Sequence, residues 1–246
     1  MEITPMQTNS AQIDALKIHG FNKLTLLDYP GHTAAVLFLG SCNFRCPFCH
    51  NRSLVLAPDQ EPVISLDDIF AFLQKRRGIL EGVCISGGEP TLSPHLADLA
   101  ARIKSLGYLV KLDTNGSRPD ILKSLVKDHL IDYVAMDIKA SKERYPIVCG
   151  CPSIDLSSIE ESVDFLLHNN IEYEFRTTVV KELHHAEDFL SISQWISGCS
   201  HYFLQSYQNS ENVMLPGFHS CTKEELHQYL TIVQQKIPSA RLRGVD

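Results

Sequence analysis

The sequence predicts an α/β protein built as an open, partial (βα)6 barrel, and three observations predict it. Apolar runs near 34–39, 82–86, 108–113, 131–138, 171–179 and 200–206 alternate with segments of helical period, the rhythm of βα units around a parallel sheet. Residues able to do chemistry fall just after those runs, where α/β proteins bind ligands. The 246 residues hold six such units behind an N-terminal lead-in, whereas eight repeats alone take roughly 250 residues. Residues 1–33 are therefore read as the lead-in and 34–246 as one domain. A doubly wound open sheet is the alternative that alternation leaves open.

In chain order, the lead-in carries polar and turn-forming stretches with Ile13, Leu16 and Ile18 as apolar anchors. Ala34–Leu39 reads as a buried strand that Gly40 ends. Ser65 can cap a helix whose Leu66, Ile69, Phe70 and Leu73 fall on one face, with Asp68 completing an S-x-x-D box. Ser93-Pro94 starts the next helix and Gly107 stops it. Ser158-x-x-Glu161 opens another, closed by Asn169-Asn170, and Thr222-x-x-Glu225 opens the last. No long lid segment is expected between strands.

Composition excludes several functions. A net charge of −7 with scattered Lys and Arg lacks the concentrated positive footprint of a nucleic-acid surface. No charged start leads into an apolar signal region, and no apolar run approaches a membrane span. The expectation is a soluble, cytoplasmic protein with no membrane partner. Its eight cysteines are then reduced thiols. Cys149-Gly150-Cys151 is the only close pair outside the 42–49 segment. It could hold a metal or form a redox pair, but small buried residues are the reading preferred for it and for Cys84, Cys199 and Cys221.

Cys42, Cys46 and Cys49 fall within eight residues directly after the first strand. At C-x3-C-x2-C spacing, each thiolate can hold one iron of a four-iron cluster, and no fourth cysteine follows locally to close the site. An iron without a protein ligand is open to chemistry. A zinc site using His50 is the alternative. Adjacent Cys49 and His50 suit one tetrahedral ion poorly, and a second C-x2-C pair is missing.

Other strand ends add Gly87-Gly88-Glu89-Pro90, Asp113-Thr114-Asn115-Gly116, Asp137-Ile138-Lys139, Arg176, and Gln205 with Tyr207. The glycine pair permits close backbone approach or positive φ. Asp113 and Asp137 show no obvious basic partner in the sequence, so they should repel unless protonated or bridged by a cation. Asn115-Gly116 reads locally as a turn, and Lys139 as a lysine after a strand. None of the eleven histidines is assigned to catalysis.

The cysteine spacing, with Phe48 before the last cysteine, resembles the radical S-adenosylmethionine (SAM) signature. With Leu27-Asp28-Tyr29-Pro30-Gly31 upstream and His50-Asn51 following, the chain resembles the activating enzymes of glycyl-radical proteins, most closely the anaerobic ribonucleoside-triphosphate reductase activating proteins. The resemblance runs from about Gly20 to the end and implies a TIM-like partial barrel. It implies a [4Fe-4S] cluster on Cys42, Cys46 and Cys49, and SAM bound through its amino group at Gly87, Gly88 and Glu89. Lys139 would face the SAM carboxylate, Phe48 the adenine and Asn115 the ribose. Asp113, Thr114 and Asp137 would bind a monovalent cation touching SAM, and Arg176 would contact SAM or the partner.

The implied activity is reductive cleavage of SAM, with hydrogen abstraction from a glycine of a partner enzyme, an anaerobic ribonucleoside-triphosphate reductase. Electrons would come from a donor such as a flavodoxin or ferredoxin. Arg176 and the terminal Arg241-Leu242-Arg243-Gly244 are candidate partner contacts. Activation of another glycyl-radical enzyme, or a small-molecule radical reaction, are alternatives within this chemistry. A non-catalytic metal-binding module is the alternative from another class, and the polar strand ends argue against it.

Overall fold

The computed structural model describes residues 16–245; Ile13 and the first part of the expected lead-in lie outside them. The chain forms one sheet of eight strands in strict sequence order: β1 (Ile18–Thr25), β2 (Ala34–Leu39), β3 (Gly82–Gly87), β4 (Leu109–Thr114), β5 (Tyr133–Asp137), β6 (Glu172–Val179), β7 (Tyr202–Ser206) and β8 (Arg241–Arg243). The first pairing is antiparallel, and every later one is parallel. A doubly wound sheet would reverse its strand order at a switch point. No reversal occurs, so every crossover steps the same way round, as in a barrel, and β1 and β8 remain unpaired edges.

The six expected strands correspond to β2–β7. The other two were hidden for different reasons. In β1 the apolar positions are sparse, because one side of Asn22-Lys23-Leu24 faces solvent. Only three residues make up β8, and two of them are arginines.

The helices are α1 (Arg52–Leu56), α2 (Leu66–Lys75), α3 (Leu96–Ser105), α4 (Pro119–Lys127), α5 (Tyr145–Val148), α6 (Leu156–His168), α7 (Ala186–Trp195) and α8 (Lys223–Gln234). Leu66, Ile69, Phe70 and Leu73 of α2 are buried as their spacing requires, and Ser65 caps that helix through Asp68 N–H. Thr222 and Glu225 form the reciprocal box at α8. Two starts differ from expectation. Ser93 instead ends a 3-10 turn at Pro90–Leu92, so α3 begins at Leu96. Asp155, rather than Ser158, caps α6, accepting from Ser157 N–H at 2.9 Å.

Period-2 alternation divides the sheet chemically. Val83, Ile85, Val110, Leu112, Val134, Met136 and Phe175 join the helices' apolar core. The opposite face carries Ser86, Lys111, Asp113, Asp137, Glu174 and Arg176, polar groups tied to one another. Tyr29, from the Asp-Tyr-Pro-Gly turn before β2, is buried against Gly82 and packs on Tyr133 at 5.8 Å between ring centroids. This turn therefore closes the sheet's N-terminal end, opposite the cysteine loop. Among the described residues, no helix is long and apolar enough to cross a membrane.

Candidate active site

Leu39 at the end of β2 pairs with Gly87 at the end of β3, so the cysteine loop and the glycine pair leave the sheet side by side. Gly88 N–H donates to Leu39 O at 2.9 Å and Glu89 N–H to Ser41 O at 2.8 Å. A Cβ on Gly88 would lie 1.9 Å from Ser41 O, and Gly87 holds φ +117° with its added Cβ 2.2 Å from Leu39 O. The close approach that demands glycine is thus first to the chain's own backbone. Ser41 itself takes φ +68°, a left-handed turn that launches the loop.

The cysteine loop is held from several sides. Ser41 N–H reaches Leu54 O at 2.8 Å, Arg45 N–H reaches Cys149 O at 2.9 Å, and Cys49 N–H reaches Cys46 O at 3.0 Å. Met214 N–H donates to Cys49 O at 2.9 Å and Leu215 N–H to Pro47 O at 2.8 Å. The segment 207–222 between β7 and α8 therefore lies along the loop as a strap, where no long covering segment was expected. Its polar, turn-rich composition gave it no periodic signal. The imidazole of His50 stacks on Tyr207 at 5.3 Å and bonds Gln208 O, joining strap and loop further.

Cys42, Cys46 and Cys49 open onto one cavity of about 250 Å³, together with Phe48, Gly87, Gly88, Asp113, Thr114, Asn115, Asp137, Lys139 and Arg176. Twelve of the thirteen expected site residues thus meet in one place, with Gln205 beside them, although they come from several strand ends and a loop. Glu89 is the exception. It is 1 % exposed, and its oxygens accept from Thr91 N–H (3.1 Å), Thr91 Oγ1 (2.5 Å), Thr114 Oγ1 (2.8 Å) and Asn115 N–H (2.6 Å). Burial pushes its carboxyl up, and these donors oppose the shift. Glu89 is a strut tying β3 to β4 behind the cavity.

Asp113 and Asp137 also depart from expectation, because both have basic partners. Arg176 Nε donates to Asp137 Oδ1 at 2.9 Å and Arg176 Nη1 stands 3.5 Å from Asp113 Oδ2. Lys139 Nζ donates to Asp137 Oδ2 at 3.0 Å, and Lys111 Nζ binds Asp113 Oδ1. Burial would raise both carboxyls, but Arg176 with Lys111, and Arg176 with Lys139, outweigh it and hold them below the usual range. Three cationic side chains face two carboxylates. No repelling acid pair is left for a monovalent cation to bridge, so the basis for expecting one is removed.

Ser86, Thr178 and Lys111 escaped the sequence reading, and His50 and Asn51 entered it only as a zinc alternative and as part of the resemblance. Ser86, Thr178, His50 and Asn51 touch the cavity, and Asn51 Nδ2 donates to Gly87 O at 2.6 Å. Lys111 is 1 % exposed in the middle of β4, and the available signal was a lysine inside Leu-Val-Lys-Leu, two residues before Asp113 on the same strand face. The terminal arginines differ: Arg241 is exposed, and Arg243 is half-buried. Arg243 makes a bidentate pair with the buried Glu174 at 2.7 and 2.8 Å and lies over Phe203, and Arg241 bonds Pro238 O and Ala240 O.

The donor set favours a cluster over a single ion. Among the described residues, no three His, Cys, Asp or Glu side chains come together closely enough to hold one metal ion. Three thiols that share a cavity without meeting at a point suit a polynuclear cluster, in which each iron takes its own thiolate. Burial raises the Cys42 thiol to about 11, opposed by Phe44 N–H and Lys139, and pushes Cys46 up further. Cluster binding would therefore displace protons. Cys149 is fully buried, and Cys151 donates to Asn43 O at 3.2 Å.

Comparison with known proteins agrees with this chemistry. A family model described as the radical SAM superfamily matches residues 36–193. A Methanocaldococcus jannaschii protein, provisionally named a glycyl-radical enzyme activating enzyme, is 33% identical over 195 residues, covering 78% of this chain and 80% of that one. The 7-carboxy-7-deazaguanine synthase of Neisseria meningitidis is 34% identical over 110 residues, 45% of each chain. Among solved structures, SuiB of Streptococcus suis bound to its precursor peptide superposes with a TM-score of 0.66 at 13% identity, over 85% of this chain and 48% of that one. A domain of the pyruvate-formate lyase-activating enzyme from Bacteroides vulgatus gives 0.53 at 17%, over 67% and 99%. At such identities the two structures speak to the fold alone, a partial barrel.

Proposed function

The chain belongs to the radical SAM superfamily and is a radical SAM enzyme, and from that premise we propose that it activates a glycyl-radical enzyme, an anaerobic ribonucleoside-triphosphate reductase being the partner of choice. The observation that carries this reading is the 33% identity with the archaeal protein named as such an activating enzyme, across 80% of that protein's length. Cys42, Cys46 and Cys49 would hold a [4Fe-4S] cluster. That cluster would supply the one-electron chemistry for reductive cleavage of SAM, fed by a donor such as a flavodoxin or ferredoxin, for hydrogen abstraction from a glycine of the partner.

The chain's own residues bind, orient and exclude water. Lys139 and Arg176 offer positive charge to a ligand carboxylate, and their carboxylate partners fix both side chains in place. Phe48, 4 % exposed, supplies an apolar wall for the adenine. Gly87 and Gly88 leave the cavity rim without side chains, and Thr114 and Asn115 line the side next to the cysteine loop. The strap shields the outer side of that loop, so a radical would be protected there even before a partner docks. The unpaired edges β1 and β8 leave the sheet open, a route for a partner's glycine loop.

Mixing the anaerobically reconstituted, reduced protein with SAM and the organism's anaerobic reductase should produce a glycyl-radical doublet in electron paramagnetic resonance. SAM cleavage driven by a small molecule of the deazaguanine type, with no doublet on any glycyl-radical enzyme, would overturn the activase reading and support the second, which the match to 7-carboxy-7-deazaguanine synthase favours.

A further inference from the structure

Cys42 differs from the other two thiols in its surroundings. Its sulfur accepts Phe44 N–H at 3.4 Å and faces the Asn115 side-chain amide, with Nδ2 at 3.9 Å. The orientation of that amide follows from its neighbours. Ser117 N–H, which can only donate, meets Asn115 Oδ1 at 2.9 Å, so the NH₂ group must point the other way, toward Cys42 and Asn43. Asn115 Nδ2 donates to Asn43 Oδ1 at 2.9 Å, and Asn43 Nδ2 donates to Ser117 Oγ at 2.8 Å. The three residues close a ring in which each holds the next. Asn115 is 5 % exposed, its backbone N–H is fixed on Glu89 at 2.6 Å, and Cys151 Sγ bonds Asn43 O at 3.2 Å. Rotating the amide would break the bonds to Asn43 and Ser117 together.

We infer that Asn115 tunes the electron affinity of a cluster held on Cys42, through an amide N–H aimed at the Cys42 sulfur and locked by Asn43 and Ser117. A donor at a thiolate sulfur stabilises the extra negative charge of the reduced cluster more than the oxidised form, and so raises the reduction potential. Phe44 N–H acts in the same sense but belongs to the loop backbone. The side-chain donor comes from β4's end, so the loop that borders the bound ligand is mechanically joined to the sulfur it polarises. Any ligand that shifts Asn115 would then shift the potential too. Cys46 and Cys49 have no side-chain amide donor among the described contacts, so the effect is directed at one iron.

The inference rests on Cys42 being a cluster ligand, and the two can fail separately. If that assignment fails, Cys42→Ala keeps a full complement of iron and sulfide. If it holds, the midpoint potential of the reconstituted cluster is measured by optical and electron paramagnetic resonance titration, without SAM or partner, in wild type and in Asn115→Leu, Asn43→Ala and Gln205→Leu. Asn115→Leu is near-isosteric and neutral and removes the donor. Its midpoint should move to more negative potential by roughly a tenfold fall in the one-electron equilibrium constant, about 59 mV. Asn43→Ala frees the amide without deleting it and should shift the midpoint in the same direction by less. Gln205→Leu removes another cavity-lining amide, one with no sulfur contact, and should leave the midpoint in place. Unchanged midpoints in both asparagine variants, or an equal shift in Gln205→Leu, overturn the inference. Should Asn115→Leu fail to retain a cluster, the Asn43→Ala midpoint decides.

Discussion

The two sides of the cavity are built from different interactions. On the side of the cysteine loop, mostly neutral groups do the holding: the Asn43–Asn115–Ser117 ring, Thr91 and Thr114 on the one buried carboxyl, Glu89, and backbone N–H groups from Gly88, Glu89, Met214 and Leu215. Toward β5 and β6, from Lys111 on β4 onward, five charged side chains pair with one another, three cationic and two anionic: Lys111, Asp113, Asp137, Lys139 and Arg176. Hydrogen bonds between neutral groups are each worth about 1 kcal/mol net, and here many share the load. Buried charges add little net stability when complete, yet removing one partner costs about 3–5 kcal/mol. Shape is thus distributed over many weak contacts, whereas charge placement depends on a few strong ones.

That contrast is broken most severely at Arg176, the one group that reaches both carboxylates. Arg176→Met should lower the unfolding free energy by about 4 kcal/mol at neutral pH, as expected for an orphaned buried charge. Asp113 and Asp137 are held below their ordinary range in the folded protein. Their contribution is present above the unfolded carboxylate value of about 4 and is lost as pH falls below it toward the folded values. The gap between wild type and variant should therefore be widest near neutrality and narrow below about pH 4. Urea unfolding at pH 7 and near pH 3.5 measures it, and a gap of constant size would show that the loss is packing rather than charge.

On the neutral side the sharpest single test is Gly88→Ala. The new Cβ would meet Ser41 O at 1.9 Å, a backbone atom that cannot swing aside, so the cysteine loop must lift from β3. A loss of about 3 kcal/mol is expected, with reduced iron content after reconstitution. Wild-type stability and iron content would show that the cysteine loop does not depend on its seat on β3. A smaller effect is expected at the strap. Leu215→Pro deletes the N–H that reaches Pro47 O at 2.8 Å, at a cost of about 1 kcal/mol, and should speed release of cluster iron to a chelator while leaving global unfolding nearly unchanged.

The same division explains what could be read in the sequence. Cys42-x3-Cys-x2-Cys, Gly87-Gly88-Glu89 and Asp113-Thr114-Asn115-Gly116 are short, contiguous and at strand ends, so topology alone carries them to one mouth. The ionic side required knowing which strand neighbours which. Arg176 pairs in register with Asp137, and Lys111 shares a face with Asp113, and neither relation is written within any single motif. Glu89 shows the opposite limit: a contiguous motif shows that a carboxylate is present but not which way it points. β1 and the strap were missed because their contacts are mostly backbone hydrogen bonds, which leave no residue pattern.

The smallest expected effect concerns Cys149 and Cys151, which stand against the neutral side without belonging to the thiolate set that faces the cavity. Cys149 contributes its carbonyl to Arg45 N–H at 2.9 Å, which any residue could supply, and Gly150 holds φ +68° with its added Cβ 2.1 Å from Arg45 O. Glycine, not cysteine, is the demanding position of this segment. The Cys151 thiol makes one weak bond, to Asn43 O, at 3.2 Å, and thiols are weak donors. Cys151→Ala should therefore cost less than about 1 kcal/mol and retain the full iron and sulfide content. Cys42→Ala, Cys46→Ala and Cys49→Ala should each lose the cluster. Loss of iron in Cys151→Ala would place a fourth thiol in the iron shell and remove the open coordination position on which SAM chemistry depends.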